Sequence, residues 1–175
     1  NGRLQREGPC DDIWVQPAAG DAGGALGAAY LAWHHVMNRP RTHRPGDSQN
    51  GSLLGPSYPS GDIALYLDSL GATYRTFGQE QELLDQVAGL LEDEKIVGWF
   101  EGRMEYGPRA LGNRSIIGDA RSPRTQRTMN LKIKFRESFR PFAPCVLRDH
   151  AHEIFEVRQD EDWPYMLFVA SVREE

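Results

Sequence analysis

Two stretches of this 175-residue sequence concentrate the side chains that handle anions. In EGRMEYGPRALGNRS, Glu101 to Ser115, the glycines Gly102, Gly107 and Gly112 recur every five residues among Arg103, Arg109 and Arg114. Such a segment is no regular helix. Glycines let a backbone turn sharply and approach a ligand, and Pro108 sets the direction of the chain just before Arg109. In NLKIKFRESFRPFAP, Asn130 to Pro144, Phe135, Phe139 and Phe142 alternate with Lys134, Arg136 and Arg140. The aromatics are expected to anchor the loop in a core and leave the cations aimed at a cleft, with Pro141 holding Arg140 in an extended backbone. Arginine stays charged at any relevant pH and offers two parallel donors to phosphate or carboxylate. Charge-assisted hydrogen bonds contribute about 1.5–3 kcal/mol each, so three converging cations suffice for a small phosphate compound. The same composition also describes a solvated basic surface over ordinary core phenylalanines, and Arg103, Arg114 and Arg136 are equally fit to pair with Glu101, Glu105 or Glu137.

The elements that would position these loops follow from pattern. Asp12 to Gln16 reads as a short strand, Gly20 to Gly24 as a turn and Ala25 to Val36 as an Ala-rich helix. Residues 39–59 collect prolines and glycines and read as a linker between 1–38 and 60–175. Beyond it, Ile63, Leu67 and Leu70 share a helical face that Gly71 ends, and Thr73 to Phe77 reads as a strand. Leu83, Leu84, Val87, Leu90 and Leu91 define an amphipathic helix. Lys95 to Phe100 has the continuous apolar character of a strand covered on both faces. Ser115 to Gly118 and Tyr165 to Val172 are expected strands, Ser122 with Pro123 an expected helix start, and Asp149 to Phe155 a helix. Alternating helices and strands indicate a layered α/β fold.

Composition narrows the function classes. Apolar content of 39% with 26% charged residues suits a globular chain, and no apolar run approaches the roughly 18 residues of a membrane span. Cys10 and Cys145 are far apart, supporting neither a disulfide framework nor a zinc site, and a reducing cytoplasm fits best. Cys145, between Pro144 and Val146, is expected to be a buried small residue. The five histidines have no spacing that favours a shared ligand role. Net charge is −5, yet Arg103 to Arg140 holds ten Lys and Arg against Glu105, Asp119 and Glu137. A cationic patch on an acidic protein suits a small anion and argues against a dedicated nucleic-acid binder.

Together, MEYGPRALGNRSI and NLKIKFRESFRPFAP resemble the C-terminal, YrdC-like domain of the O-carbamoyltransferases that include nodulation-factor and antibiotic-tailoring enzymes. The opening DIWVQPAAGDAGGALGAA resembles the end of their N-terminal, Kae1-like domain. The resemblance implies a YrdC-like twisted sheet with packed helices, preceded by a strand-turn-helix remnant of a Kae1-like, actin-type domain. It implies that carbamoyl phosphate and ATP yield carbamoyl adenylate, whose carbamoyl group passes to a hydroxyl of a small molecule. By the same resemblance, Arg109, Lys134 and Arg140 bind carbamoyl phosphate or the adenylate phosphates. Asp21 corresponds to a ligand of iron or another divalent metal, and Gly23 and Gly24 approach nucleotide phosphates at a helix N-terminus. Asp21 read by itself suits an N-cap.

Asn1 in place of an initiating Met, with no leader pattern after it, suggests a piece of a longer chain, whose remainder would be the partner in catalysis. Related domains continue beyond a point corresponding to Glu175, so the ATP site is expected to be incomplete here and the 175 residues inactive alone. Two other readings stand beside this one. One is an enzyme making threonylcarbamoyl adenylate for tRNA modification, and the other a noncatalytic RNA-binding module using the interleaved aromatics.

Overall fold

The computed structural model describes residues 1–11, 13–43, 45–159 and 163–174. In chain order it contains helix α1 (Gly2–Glu7), helix α2 (Asp21–Leu31), helix α3 (Ser60–Ser69), helix α4 (Glu80–Glu92), strand β1 (Val97–Phe100), strand β2 (Arg114–Ile117), helix α5 (Thr125–Thr128) and helix α6 (Ala151–Ile154). The chain thus mixes helix with a small sheet, as an α/β reading requires. Among the described residues, no helix is long and apolar enough to cross a membrane.

Two compact units divide the chain. The first comprises Asn1–Gly55, Glu105–Leu111 and Cys145–Glu175, and the second Pro56–Met104 and Gly112–Pro144. Residues 105–111, the tip of the β1–β2 connection, therefore belong to the first unit although both strands belong to the second.

In the second unit, α4 spans the expected amphipathic segment, with Leu83, Val87 and Leu91 half-buried at four-residue intervals. That spacing follows from 3.6 residues per turn. Helix α3 ends as Gly71 takes φ 63° and the Ala72 N–H bonds the Leu67 carbonyl at 3.0 Å, a C-terminal arrangement that glycine permits without Cβ strain. Strands β1 and β2 pair antiparallel, Val97 with Ile117 and Phe100 with Arg114. The β1 side chains alternate between half-buried and exposed, so the expected cover on both faces is absent and the strand is of the half-buried kind. Beside the sheet, Met129 is 4% exposed. A Cβ on Gly118 would lie 2.7 Å from Thr125 Cγ2 and 3.3 Å from Met129 Sδ, so glycine lets α5 and the turn after it close on the end of β2.

Several expected elements take other forms. Asp12 lies outside the described residues, and Ile13 to Gln16 joins no strand ladder, which an extended segment needs to become a strand. The turn and helix after it form, although α2 begins at Asp21 and ends in a wider π turn, Ala32–Val36, closed by the Met37 N–H on the Ala32 carbonyl at 2.9 Å. Thr73 to Phe77 is irregular; Arg75 lies over the Phe77 ring at 4.4 Å and donates to Gln86 of α4 at 3.1 Å, so side chains hold it. Tyr165 and Met166 have φ of 68° and 53°, incompatible with a strand. Only Val172 bridges, to Phe155, beyond α6 and the 3₁₀ turn Arg148–His150, which together form the expected helix. Ser122 donates its hydroxyl to Glu94 at 2.6 Å, and the helix starts at Thr125. Cys145 is exposed on an irregular segment instead of buried.

Candidate functional site

The sequence-predicted cations fall in both units. In the second, α5 runs into a π turn, Met129–Ile133, closed by the Lys134 N–H on the Met129 carbonyl at 2.9 Å. Extra residues in a turn of this kind project side chains off the helical register, and such turns are frequent at functional sites. Lys134 follows immediately and is exposed, and Phe135 then takes φ 49°, reversing the chain.

The reversal is held from within by Asn130, which is 0% exposed. Its Nδ2 donates to the carbonyls of Ser138 at 3.2 Å and Arg140 at 2.8 Å, while its Oδ1 accepts from Arg136 Nε at 2.6 Å. Gln126 of α5 donates to the same Arg140 carbonyl at 3.0 Å. Arg136 lies over the half-buried Phe142 ring, 4.8 Å from its centroid. Arg140 Nε donates to Glu137 at 2.9 Å. Glu137 is held below the usual carboxylate range by its own backbone N–H and then by the Arg140 charge. Of the remaining predicted residues in this unit, Arg103 is exposed just after β1 and Arg114 opens β2, half-buried.

The aromatics behave differently from expectation. Phe135 and Phe139 are 85% and 77% exposed, so they do not anchor the loop. A buried carboxamide takes that role, because three backbone and side-chain partners need a polar centre that a phenyl ring cannot supply.

In the first unit, Arg109 sits on the strap Glu105–Leu111. Glu105 is 3% exposed and accepts the Leu111 N–H at 2.7 Å, closing the strap across its base. The Tyr106 hydroxyl donates to the Ala22 carbonyl in the first turn of α2, and the Tyr106 N–H donates to the Ser52 carbonyl. Gly107 has φ 101°, and a Cβ there would stand 2.6 Å from the Ala18 Cβ. The strap is therefore pressed onto the turn that precedes α2, bringing Arg109 into the same unit as Asp21, Gly23 and Gly24. Arg109 is exposed and borders a recess of about 10 Å³ with Pro17, Ser52 and Tyr165. That volume is of the order of a single water and holds no substrate. Burial, followed by its hydrogen bond to Asp47, pushes the Tyr165 phenol up to about 12.

Asp21 is exposed and is the first residue of α2, with Gly20 in the capping position, so its carboxylate complements the helix dipole without capping. The Gly23 and Gly24 N–H groups are taken by the carbonyls of Ala18 at 2.8 Å and Gly20 at 3.0 Å. A Cβ on Gly23 would meet the Ala18 oxygen at 2.2 Å, whereas Gly24 faces open space. Among the described residues, no three His, Cys, Asp or Glu side chains gather as a metal centre. Asp21 with its present neighbours thus does not compose one.

Asn130, Glu105 and Tyr106 were not singled out as organisers by sequence reasoning. Their signal was faint: each is one polar residue inside a motif whose charge pattern drew attention to its neighbours.

Comparison with known proteins bears on what these loops serve. Residues 88–175 match the model of the carbamoyltransferase C-terminus, and residues 1–30 match that of the carbamoyltransferase N-terminus. The chain belongs to the carbamoyltransferase family. Both loops of this carbamoyltransferase chain fall within the C-terminal match. The chain is 53% identical over 177 residues to the uncharacterized protein sll1178 of Synechocystis, covering 100% of this chain and 28% of that relative. It is 39% identical to nodulation protein NolNO of Sinorhizobium fredii, covering 99% of this chain and 25% of the relative. Against nodulation protein NolO of Bradyrhizobium diazoefficiens the identity is 38%, with 99% and 31% covered. The chain thus spans between a quarter and a third of the length of these relatives.

Proposed function

We propose that the polypeptide carrying this carbamoyltransferase sequence is an O-carbamoyltransferase that takes its carbamoyl group from carbamoyl phosphate and activates it with ATP. The observation that carries the reading is the match to both family models, in order, with the cation loops inside the second. In this reading, residues 60–175 belong to a YrdC-like domain and residues 1–38 to the end of a Kae1-like domain.

The chemistry begins with hydrolysis of carbamoyl phosphate: water adds, the bond between the carbamoyl and phosphate groups breaks, and carbamate, inorganic phosphate and a proton result. A carbamate oxygen attacks the α-phosphorus of ATP and pyrophosphate leaves, giving carbamoyl adenylate. The hydroxyl of a small acceptor then attacks the carbamoyl carbon, AMP leaves, and the hydroxyl proton is given up. Negative charge develops on transferring and leaving phosphate oxygens throughout, and fixed cations stabilise it without a proton-transferring side chain. Arg109, Lys134 and Arg140 are assigned to those oxygens, with Arg103, Arg114 and Arg136 as further substrate contacts. An iron or other divalent ion at the Kae1-like site would need ligands beyond Asp21.

One observation favours a second reading, an RNA-binding module: Phe135 and Phe139 are exposed beside Lys134, Arg136 and Arg140, the interleaving that stacks bases over a cationic track. The intact polypeptide distinguishes the two. Pyrophosphate release from ATP should depend on carbamoyl phosphate and not on bicarbonate with threonine. Release driven by the latter pair, or salt-sensitive RNA binding without any carbamoyl phosphate affinity, would overturn the proposal.

A further inference from the structure

We infer that Asn130 is a positioning residue, whose buried carboxamide sets the conformation in which Arg136 and Arg140 meet a phosphate-bearing substrate. The inference rests on the carbamoyl phosphate reading above and goes beyond it, because Asn130 itself is sealed from solvent and cannot touch the ligand.

A carboxamide offers two N–H donors and one acceptor oxygen. At Asn130 both donor positions face carbonyls, those of Ser138 and Arg140, and the oxygen faces the Nε–H of Arg136. The orientation is dictated by those partners, since turning the amide over would oppose acceptor to acceptor and donor to donor. One side chain therefore joins three points of the loop between residues 136 and 140. It uses only the Nε of Arg136, so that guanidinium keeps its terminal N–H groups for another acceptor.

The backbone reinforces the arrangement. The Arg136 N–H bonds the Asn130 carbonyl at 3.0 Å, and Gln126 supplies a second donor to the Arg140 carbonyl. Between them the chain passes through the positive φ of Phe135, a conformation bulky residues seldom adopt unless the surroundings impose it. Asn130 is the buried group in place to impose it. Aspartate at this position would keep the shape but set an acceptor against the two carbonyls, and leucine of similar volume would leave all three partners unmatched.

The test is calorimetric titration of carbamoyl phosphate into the intact polypeptide, wild type against Asn130→Asp and Asn130→Ala, with thermal unfolding alongside. Affinity should fall at least tenfold in both variants while a cooperative unfolding transition is kept. In an Arg136→Lys background, which lacks the Nε–H at that place, Asn130→Ala should cost at least threefold less than in the wild type, the part exerted through the Arg140 carbonyl remaining. That coupling is what action through Arg136 requires and a general loss of stability does not produce. Folded variants that bind as wild type, or losses that simply multiply in the double variant, would overturn the inference. Should the Asn130 variants not fold, Gln126→Ala decides: this exposed side chain donates to the same Arg140 carbonyl, and its removal should weaken binding about threefold, unchanged affinity counting against the idea. A wild type that ignores carbamoyl phosphate would instead bring down the functional reading on which the inference stands.

Discussion

Arg140 donates to Glu137 across a pair whose side chains are 52% and 55% exposed. Exposed pairs of this kind contribute at most about 1 kcal/mol, so an incoming dianion can take the guanidinium at little expense. Glu137→Gln should therefore change carbamoyl phosphate affinity by less than about fivefold, whereas Arg140→Ala should weaken it at least tenfold, about 1.4 kcal/mol. Calorimetry on the two variants checks this, and an equal loss in both would make the ion pair, not the arginine, the recognition unit. Sequence reasoning could pick out Arg140 because charge and donor geometry are intrinsic to the residue. It left Glu101, Glu105 and Glu137 open as partners of Arg103, Arg114 and Arg136 and offered none for Arg140, since pairing depends on which side chains the turns bring within reach. Glu105, read only as a possible arginine partner, accepts a backbone N–H in the interior.

The strap Glu105–Leu111 shows how a glycine's role is decided by its element. Gly107 combines a left-handed φ with a van der Waals collision awaiting any Cβ, so Gly107→Ala should destabilise the protein by about 1–3 kcal/mol, more if the strap lifts from Ala18. Gly24 lies inside helix α2 with open space around it. Gly24→Ala should stabilise by up to about 1 kcal/mol, through the better helix propensity of alanine. Urea unfolding of the pair tests both signs. Activity lost in Gly24→Ala despite higher stability would point to a nucleotide approaching that backbone. Helix α4 was legible because its apolar period is internal to thirteen residues. The segments around Trp14, Tyr74 and Val169 were misread as strands because a strand exists only where a second one supplies the other half of the ladder.

Across the described residues, Met129 stands nearly alone as a deeply buried apolar side chain, while Trp14, Tyr30, Trp33, Tyr66 and Phe100 are among many large ones left exposed. Apolar surface of this extent on one chain normally meets a partner surface. The chain spans 25–31% of the length of its nodulation-protein relatives, NolNO and NolO. Expressed alone, the 175 residues should bind an apolar fluorescent dye and show a mass that rises with concentration in sedimentation. A dye-silent monomer would mean that these side chains are covered within the chain itself.

The amino-acid order alone determined the mixed helix and sheet character, helices α3 and α4, the two segments that become β1 and β2, and the two cation-bearing loops. All of these rest on local period, glycine placement and residue charge. Tertiary structure alone decided that Asn130 forms the centre of one loop, that Glu105 closes the other and Tyr106 pins it to α2, and that Phe135 and Phe139 face outward. A polar side chain becomes an organiser only when folding removes its water and offers partners from distant positions, and no pattern along the chain records which partners those are.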